Sequence, residues 1–497
     1  MTAEDLKNAI VDTEKEWIEM ALPQGFGSQK KQAGKRFLKP ALVAAACVVL
    51  TVLGVLFVPR LFSGEVPVAH AYALAEAEYP AMTNGEAFYL KNPRDWYKLS
   101  YEQMLEMERR QGAAWAEDFK VFSSVRGSGE NLKPFLHQAI ALSLSSAGGE
   151  NALSAPLNLY LALSTLAETT AGETQQEILN AIGAESAASL REQAKKVWRA
   201  NYYDNGYVKC VLGSSCWLSD SLNYKEACVK QLAENYYASV YRGSMGSKEY
   251  DEAFRDWINA QTGNLLKESV SKLYLDPMTV IDLVSTFYFQ DKWAARFNPN
   301  ENTRDIFHSP VGDTEAEYMH ETDVGTYYYA DHFGAYGKNL NDSGAVLYFI
   351  LPDEGVGMDE LLQDPQLMDF LTSVKSVPNV SIKVNLSLPK FDIEQDQNLK
   401  NVVRQLGIQK VFERESADFS PLTTDTEAWL SAVQQGARMI VDEEGIKAAA
   451  YVNLPTVGAP MPPEDKIDFV LDRPFLFVLR SRDDLPLLAG IVNRPQP

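Results

Sequence analysis

Few side chains in this 497-residue sequence are suited to making or breaking bonds, and none falls in a pattern that catalysis uses. A serine hydrolase on an α/β sheet would show G-x-S-x-G, a zinc peptidase H-E-x-x-H, and a nucleotide enzyme a Walker loop or G-x-G-x-x-G; none occurs. The five histidines, His70, His137, His308, His320 and His332, suit surface or packing roles better than catalytic ones. His308, His320 and His332 fall within 25 residues, but their irregular spacing gives no metal-ligand pattern, and no metal or cofactor is expected. Asp442, Glu443 and Glu444 form an acid cluster, whose place between an apolar run and a glycine suits a solvated hinge better than acid–base work.

The elements around that cluster carry more information than the acids themselves. Met439-Ile440-Val441 reads as the end of a buried strand, and Gly445 as a turn or pivot. Beyond the glycine, Ile446, Ala448, Ala450, Val452 and Leu454 fall on one face of an extended chain, with Lys447, Ala449, Tyr451 and Asn453 on the other. Three consecutive alanines are unusual in a strand, but suit a segment that must enter a narrow space between strands already in place. Pro455 to Asp465, with four prolines and a glycine, reads as an exposed loop.

The stretch from Arg438 to Leu454 resembles the hinge and reactive-centre loop of the serpins, the serine-protease-inhibitor superfamily. Further blocks stand in the family's order: Asn151 to Ile178, Phe289 to Trp293, Tyr348 to Gly355, Leu388 to Phe391, Leu406 to Ile408 with Ala417 to Ser420, Arg473 to Phe477, and Gly490 to Asn493. The resemblance covers roughly Leu132 to Pro497. It implies an α+β fold with a large central mixed β-sheet, smaller sheets and about nine helices. It also implies an inhibitor rather than an enzyme: a serine protease attacks the loop, and the cut segment enters the central sheet before water can release the acyl-enzyme.

That resemblance assigns the hinge to Glu443, Glu444, Gly445, Ile446, Lys447, Ala448, Ala449 and Ala450. Ile446 stands where inhibitory members usually carry Thr or Ser, and Pro455, lacking an N–H, limits clean insertion to Leu454. The family's usual spacing from Gly445 puts the residue before the scissile bond at Ala459, followed by Pro460, with Val457-Gly458 and Gly458-Ala459 as alternatives. The small, uncharged residues there imply an elastase-like or subtilisin-like target. Where the family has a buried cluster of two serines, an asparagine and a histidine, this chain has Ala155, Asn158, Ser285 and Gln435, which implies a rewired sheet-opening network. A binding module of the same fold that does not inhibit, and an inhibitor of cysteine proteases, remain alternatives.

Composition sets the remaining expectations. With 46% hydrophobic residues the chain can bury a large core, and a net charge of −21 argues against nucleic acid as a partner. Of four cysteines, Cys47 lies in an apolar run, and Cys210, Cys216 and Cys228 read as structural thiols. Pro40 to Pro59 carries no charge and follows Lys30, Lys31, Lys35, Arg36 and Lys39, which predicts a transmembrane helix with a cytoplasmic N-terminus. The expected organisation is a tail at 1–39, an anchor at 40–60, a stalk or accessory helical segment at 61–130, and a serpin domain at 131–497. That arrangement places a monomeric inhibitor domain outside the cell on a single-pass anchor, with a bacterial source.

Overall fold

The computed structural model describes residues 68–82, 99–145, 147–206, 208–425, 428–446 and 465–495. Contacts divide the chain into Met1–Val66 and Pro67–Pro497, and every described residue belongs to the second unit.

The strands in chain order are β1 (Ala73–Ala75), β2 (Ala152–Ser154), β3 (Tyr203–Asp204), β4 (Lys209–Ser219), β5 (Ala238–Gly243), β6 (Ile281–Lys292), β7 (Thr303–Phe307), β8 (Thr314–Tyr329), β9 (Phe333–Asn339), β10 (Val346–Pro352), β11 (Asn379–Pro389), β12 (Phe391–Asn398), β13 (Leu430–Val441), β14 (Gly445–Ile446), β15 (Lys466–Val470), β16 (Phe475–Arg480) and β17 (Pro486–Val492). The principal helices are α1 (Tyr101–Ser123), α2 (Lys133–Leu144), α3 (Pro156–Thr169), α4 (Gly172–Ile182), α5 (Ala187–Asn201), α6 (Glu226–Tyr236) and α7 (Lys248–Gln261), followed by the single turn α8 (Lys267–Val270). Local chemistry explains their ends. Ser186 and Ser247 cap α5 and α7 by accepting backbone N–H bonds, Pro156 opens α3, and Gly183 closes α4 at φ +71°.

A central mixed sheet runs in the order β1-β5-β4-β6-β14-β13-β12, with β3 on β4. Its middle strands β4 and β6 are buried along both faces because helices cover both, although they carry polar residues such as Ser214, Ser215, Asp282 and Ser285. Trp198 of α5 and nearly all of α3 pack on one side, while Tyr250, Phe254 and Trp257 of α7 pack with Trp217 and Val284 on the other. A second sheet, β15-β11-β8-β9-β10-β16-β17-β2 with β7 on β8, encloses a further core against residues 358–377.

Residues 68–82 lie along the open edge of the central sheet. β1 pairs with β5, Ala69 is buried beside α7, and Tyr79 stacks among Trp198, Tyr202 and Tyr237 with ring centroids 5.1, 5.4 and 6.4 Å away. α1 carries the helical part of the expected accessory segment and continues to Ser123.

The expectation of a transmembrane helix is corrected. No helix among the described residues is long and apolar enough to cross a membrane, and the longest, α1, is interrupted by charges such as Glu106, Arg109, Arg110 and Asp118. Residues 40–60, on which the anchor was placed, lie outside the described residues. The anchor is withdrawn, and with it the membrane as a partner, the single-pass topology and the extracellular placement. Cys210, Cys216 and Cys228 are free and buried. Burial pushes the thiols of Cys210 and Cys228 up to about 12, which suits a packing role.

Candidate functional site: the hinge and the parted sheet

β6 and β13 run parallel and pair from Ile281–Leu430 to Thr286–Gly436. Beyond that point they part. At the far end the two residues of β14 fill the space between them, with Gly445 opposite Lys292, and Ile446 opposite both Asp291 and Val441. Between these two zones no ladder pair joins Phe287–Gln290 to Ala437–Ile440. Gly445, expected to be the hinge glycine, and Ile446 therefore lie inside the central sheet. Ile446 is 2% exposed and belongs to the main core, so its β-branched side chain acts as an anchor.

A clasp of polar contacts holds the turn that precedes β14. Asp442 Oδ1 accepts the backbone N–H groups of Glu444 and Gly445 at 2.8 and 3.1 Å, and the Asp442 carbonyl accepts the Trp293 indole N–H at 2.8 Å. The Trp293 and Phe297 amides donate to the carbonyls of Glu444 and Glu443 at 3.1 and 3.2 Å. Glu443 pairs with Lys390 at 2.6 Å and accepts from Asn302 at 2.6 Å, while Glu444 pairs with Arg296 at 2.6 Å. Burial alone would raise the Glu443 carboxyl, but the bonds from Lys390 and Asn302 outweigh it and hold it below the usual range. Burial pushes the Asp291 carboxyl up to about 6, against donation from Ser343. Burial, with Arg296 adding to it, brings the Lys292 ammonium down to about 8. Behind the turn, buried Lys338 lies 4.3 Å from the Phe297 ring centroid and pairs with Glu321.

An open cleft of about 530 Å³ adjoins the clasp, bordered by Arg304, Glu317, Lys390, Phe391, Ile440 and Asp442. Its charges are largely engaged with one another, Lys390 bonding Glu317 at 2.8 Å as well as Glu443. The arrangement is suited to holding and releasing a chain segment. The three histidines close in sequence are occupied separately: His308 bonds Asp313, His320 bonds Thr303 and Ser387, and His332 bonds Asp364. Among the described residues no three metal-ligating side chains come together.

Ala155, Asn158, Ser285 and Gln435, expected to form a sheet-opening network, are gathered at the N-terminal end of α3, where the bonds are from side chain to backbone. Gln435 Oε1 accepts the Ala155 amide at 2.9 Å, and its Nε2 donates to the Ala155 carbonyl at 3.1 Å. Asn158 Nδ2 donates to the Thr286 carbonyl at 2.6 Å. Ser285 pairs with Gln435 in the ladder, yet its buried hydroxyl makes no hydrogen bond among the described residues. Gln435 and Asn158 thus tie β13 and β6 separately to α3, through backbone rather than to each other. Lys447, Ala448, Ala449 and Ala450 of the hinge, and Val457, Gly458, Ala459 and Pro460 of the loop tip, lie outside the described residues.

Trp293, Arg296, Asn302 and the double role of Lys390 were not read from the sequence as parts of the site. Trp293 and Lys390 stood in blocks that resembled the family, and a lysine beside an acid-rich hinge was the available signal.

The family model for serpins, described as serine protease inhibitors, matches residues 136–495. The chain belongs to that family, whose members are inhibitors rather than enzymes. It is 26% identical over 371 residues to neuroserpin of Gallus gallus, covering 70% of this chain and 87% of that one. It is likewise 26% identical over 355 residues to alpha-1-antitrypsin of Meriones unguiculatus, covering 69% and 84%. The fold resembles the native state of the thermophilic serpin tengpin, with a TM-score of 0.66 at 22% identity over 73% of this chain and 93% of that one. Human thyroxine-binding globulin gives 0.63 at 20% identity, over 74% and 98%. The expected bacterial source is also withdrawn: it rested on the anchor, and these sequence relatives are animal proteins.

Proposed function

We propose that this protein inhibits a serine protease by offering residues 447–464 as bait and inserting the cut segment into its own central sheet. The observation that carries the proposal is the stretch over which no ladder joins β6 to β13, although each is paired on its other edge, and which Gly445 and Ile446 enter from one end. Continued in the same antiparallel register, Lys447 to Ala450 would meet Gln290 to Phe287 on one side and Ile440 to Ala437 on the other. That is the whole of the stretch where β6 and β13 do not meet, and alanines at three of the four positions suit its width. Ala448 and Ala450 would follow Ile446 onto the core face. Further insertion, from Tyr451 to Leu454, requires the ladder between β6 and β13 to part.

The protease serine attacks the carbonyl carbon of the residue before the cut, the amine leaves with the following residue, and an ester joins the two proteins. Entry of the segment drags the ester-linked protease away from the geometry that admits water. Val457, Gly458 and Ala459 are candidates for the residue before the cut, with Pro460 as the residue after it in the last case. Their small size favours an elastase-like or subtilisin-like target. The test is incubation with pancreatic elastase and with subtilisin, followed by denaturing electrophoresis and mass spectrometry of the released fragment. A covalent complex with the combined mass minus that fragment supports the reading. Complete cleavage of the loop by both enzymes, without a complex, contradicts it.

A further inference from the structure

The ladder from Ile281–Leu430 to Thr286–Gly436 is the part of the sheet that the loop must split once insertion passes Ala450. On the side facing α7, two polar groups reach across that ladder. Gln434 Nε2 donates to Asp282 Oδ2 at 2.5 Å, joining β13 to β6 diagonally on one face. Asp282 is 2% exposed, and its other oxygen, Oδ1, is buried without a hydrogen-bond partner among the described residues. Strands covered on both faces are ordinarily apolar, and a carboxylate placed there costs free energy unless it is paired.

Besides the Gln434 bond, only the backbone N–H of Leu283 favours the carboxylate among the described residues, and the rest of its surroundings offer little to offset that cost. Trp217 of β4 lies opposite Asp282 in the sheet. The segment from α7 to α8 covers Gln434 with Ile258, Leu266, Val270 and Leu273. From β12 comes Asp396, a second acid, whose charge opposes ionisation of Asp282. Further along the same face Arg438 is engaged by Asp392 at 2.6 Å and by Glu394 at 3.5 Å.

We propose that Asp282 and Gln434 form a proton-sensitive latch across the strand pair that the loop must part, and so set the rate of loop insertion. The latch rests on the insertion reading above. Asp282 and Gln434 are positioning residues: neither touches the protease. Burial pushes the Asp282 carboxyl up to about 7, with the Gln434 bond opposing and Asp396 reinforcing the shift. The closed ladder therefore holds the proton more tightly than a solvated carboxyl would. Its advantage over the parted sheet, where water reaches Asp282, is full below the ordinary aspartate value of 3.8, declines as pH rises to about 7, and is flat above that. Acid closes the latch; neutral and alkaline pH loosen it.

The test uses the full chain and a synthetic peptide with the sequence of residues 445–454, whose uptake is followed at pH 5.5 and 8.0 by resistance of the complex to denaturant. Uptake is expected to be faster at pH 8.0 by up to about thirtyfold, because pH 5.5 lies about 1.5 units below the value of about 7 and each unit is tenfold. Asp282→Asn, whose neutral amide still pairs with Gln434, is expected to take up peptide slowly at both values. Gln434→Leu, lacking the bond, is expected to be faster than the unaltered protein at both. Equal rates at the two pH values, or an unchanged ratio in Asp282→Asn, would overturn the latch while leaving insertion intact. No uptake at either pH, with or without substitution, would overturn insertion and the latch with it.

Discussion

Gly445 and Lys292 face each other in the central sheet so closely that a Cβ on the glycine would lie 2.5 Å from the Lys292 Cα and 2.4 Å from the Asp291 carbonyl oxygen. Gly445 also has φ +154°, which side chains rarely adopt. Gly445→Ala is therefore expected to expel β14 from between β6 and β13, at a cost of roughly 1–3 kcal/mol. Proteolytic sensitivity at residues 442–448 should rise in parallel with a lower melting temperature. Wild-type resistance in a fully folded variant would show that β14 does not depend on the glycine.

The clasp should open in acid. Glu443 and Glu317 are held below the ordinary glutamate value of 4.5, so their contribution is present above that value and is lost as pH falls below it through their lowered values. Hydrogen exchange of the Glu444, Gly445 and Ile446 amides is expected to lose protection as pH falls below 4.5. Lys390→Ala, which removes the partner of both acids, should reproduce that loss at pH 7. Unchanged exchange in that variant would assign the clasp to its backbone bonds alone.

Residues 68–82 are expected to be part of the folded body. Tyr79→Ala removes a ring packed on Trp198 and Tyr202, together with the hydroxyl bond to Gln261 at 3.2 Å. Tyr79 is half-buried, so the loss is expected to fall below the roughly 3–5 kcal/mol that deleting a fully buried aromatic side chain costs. Tyr79→Phe should lose only about 1 kcal/mol, the net worth of the hydrogen bond. Denaturant unfolding separates the two variants, and equal stability of Tyr79→Ala and the parent protein would contradict the packing.

The ties to α3 have separate weights. Gln435→Leu leaves the buried amide and carbonyl of Ala155 without that partner, and Asn158→Ala removes only the donor to Thr286. About 1–3 kcal/mol is expected for each unsatisfied group, so Gln435→Leu should be the more damaging in thermal unfolding. The reverse order would favour the side-chain network that the sequence implied.

Much of this architecture was legible because local patterns and tertiary demands agree. Met439 to Val441, read as the end of a buried strand, ends β13 with Met439 and Val441 buried, and Gly445, read as a turn or pivot, follows the turn that Asp442 closes and opens β14. The readings that fell short concern pairings across long stretches of chain. Ile446 as an anchor depends on Asp291 and Val441, and Gln435 finds its partner in the backbone of Ala155, which no residue-type pattern reports. Tyr79 finds its aromatic neighbours in two later parts of the chain, Trp198 and Tyr202 at the end of α5 and Tyr237 just after α6, which no local pattern reports. The apolar run at 40–59 had the length of a membrane span, and length with charge alone was the whole basis of the anchor now withdrawn.

The most direct measurement is the melting temperature of the protein before and after a single cut between residues 456 and 460. Insertion of the freed segment fills the space between β6 and β13 and completes the ladder, so the cut protein should melt higher by about 10 °C or more, equivalent to several kcal/mol in a domain of this size. A midpoint that stays the same or falls would contradict insertion, because a nicked loop that remains outside the sheet adds no backbone pairing to it.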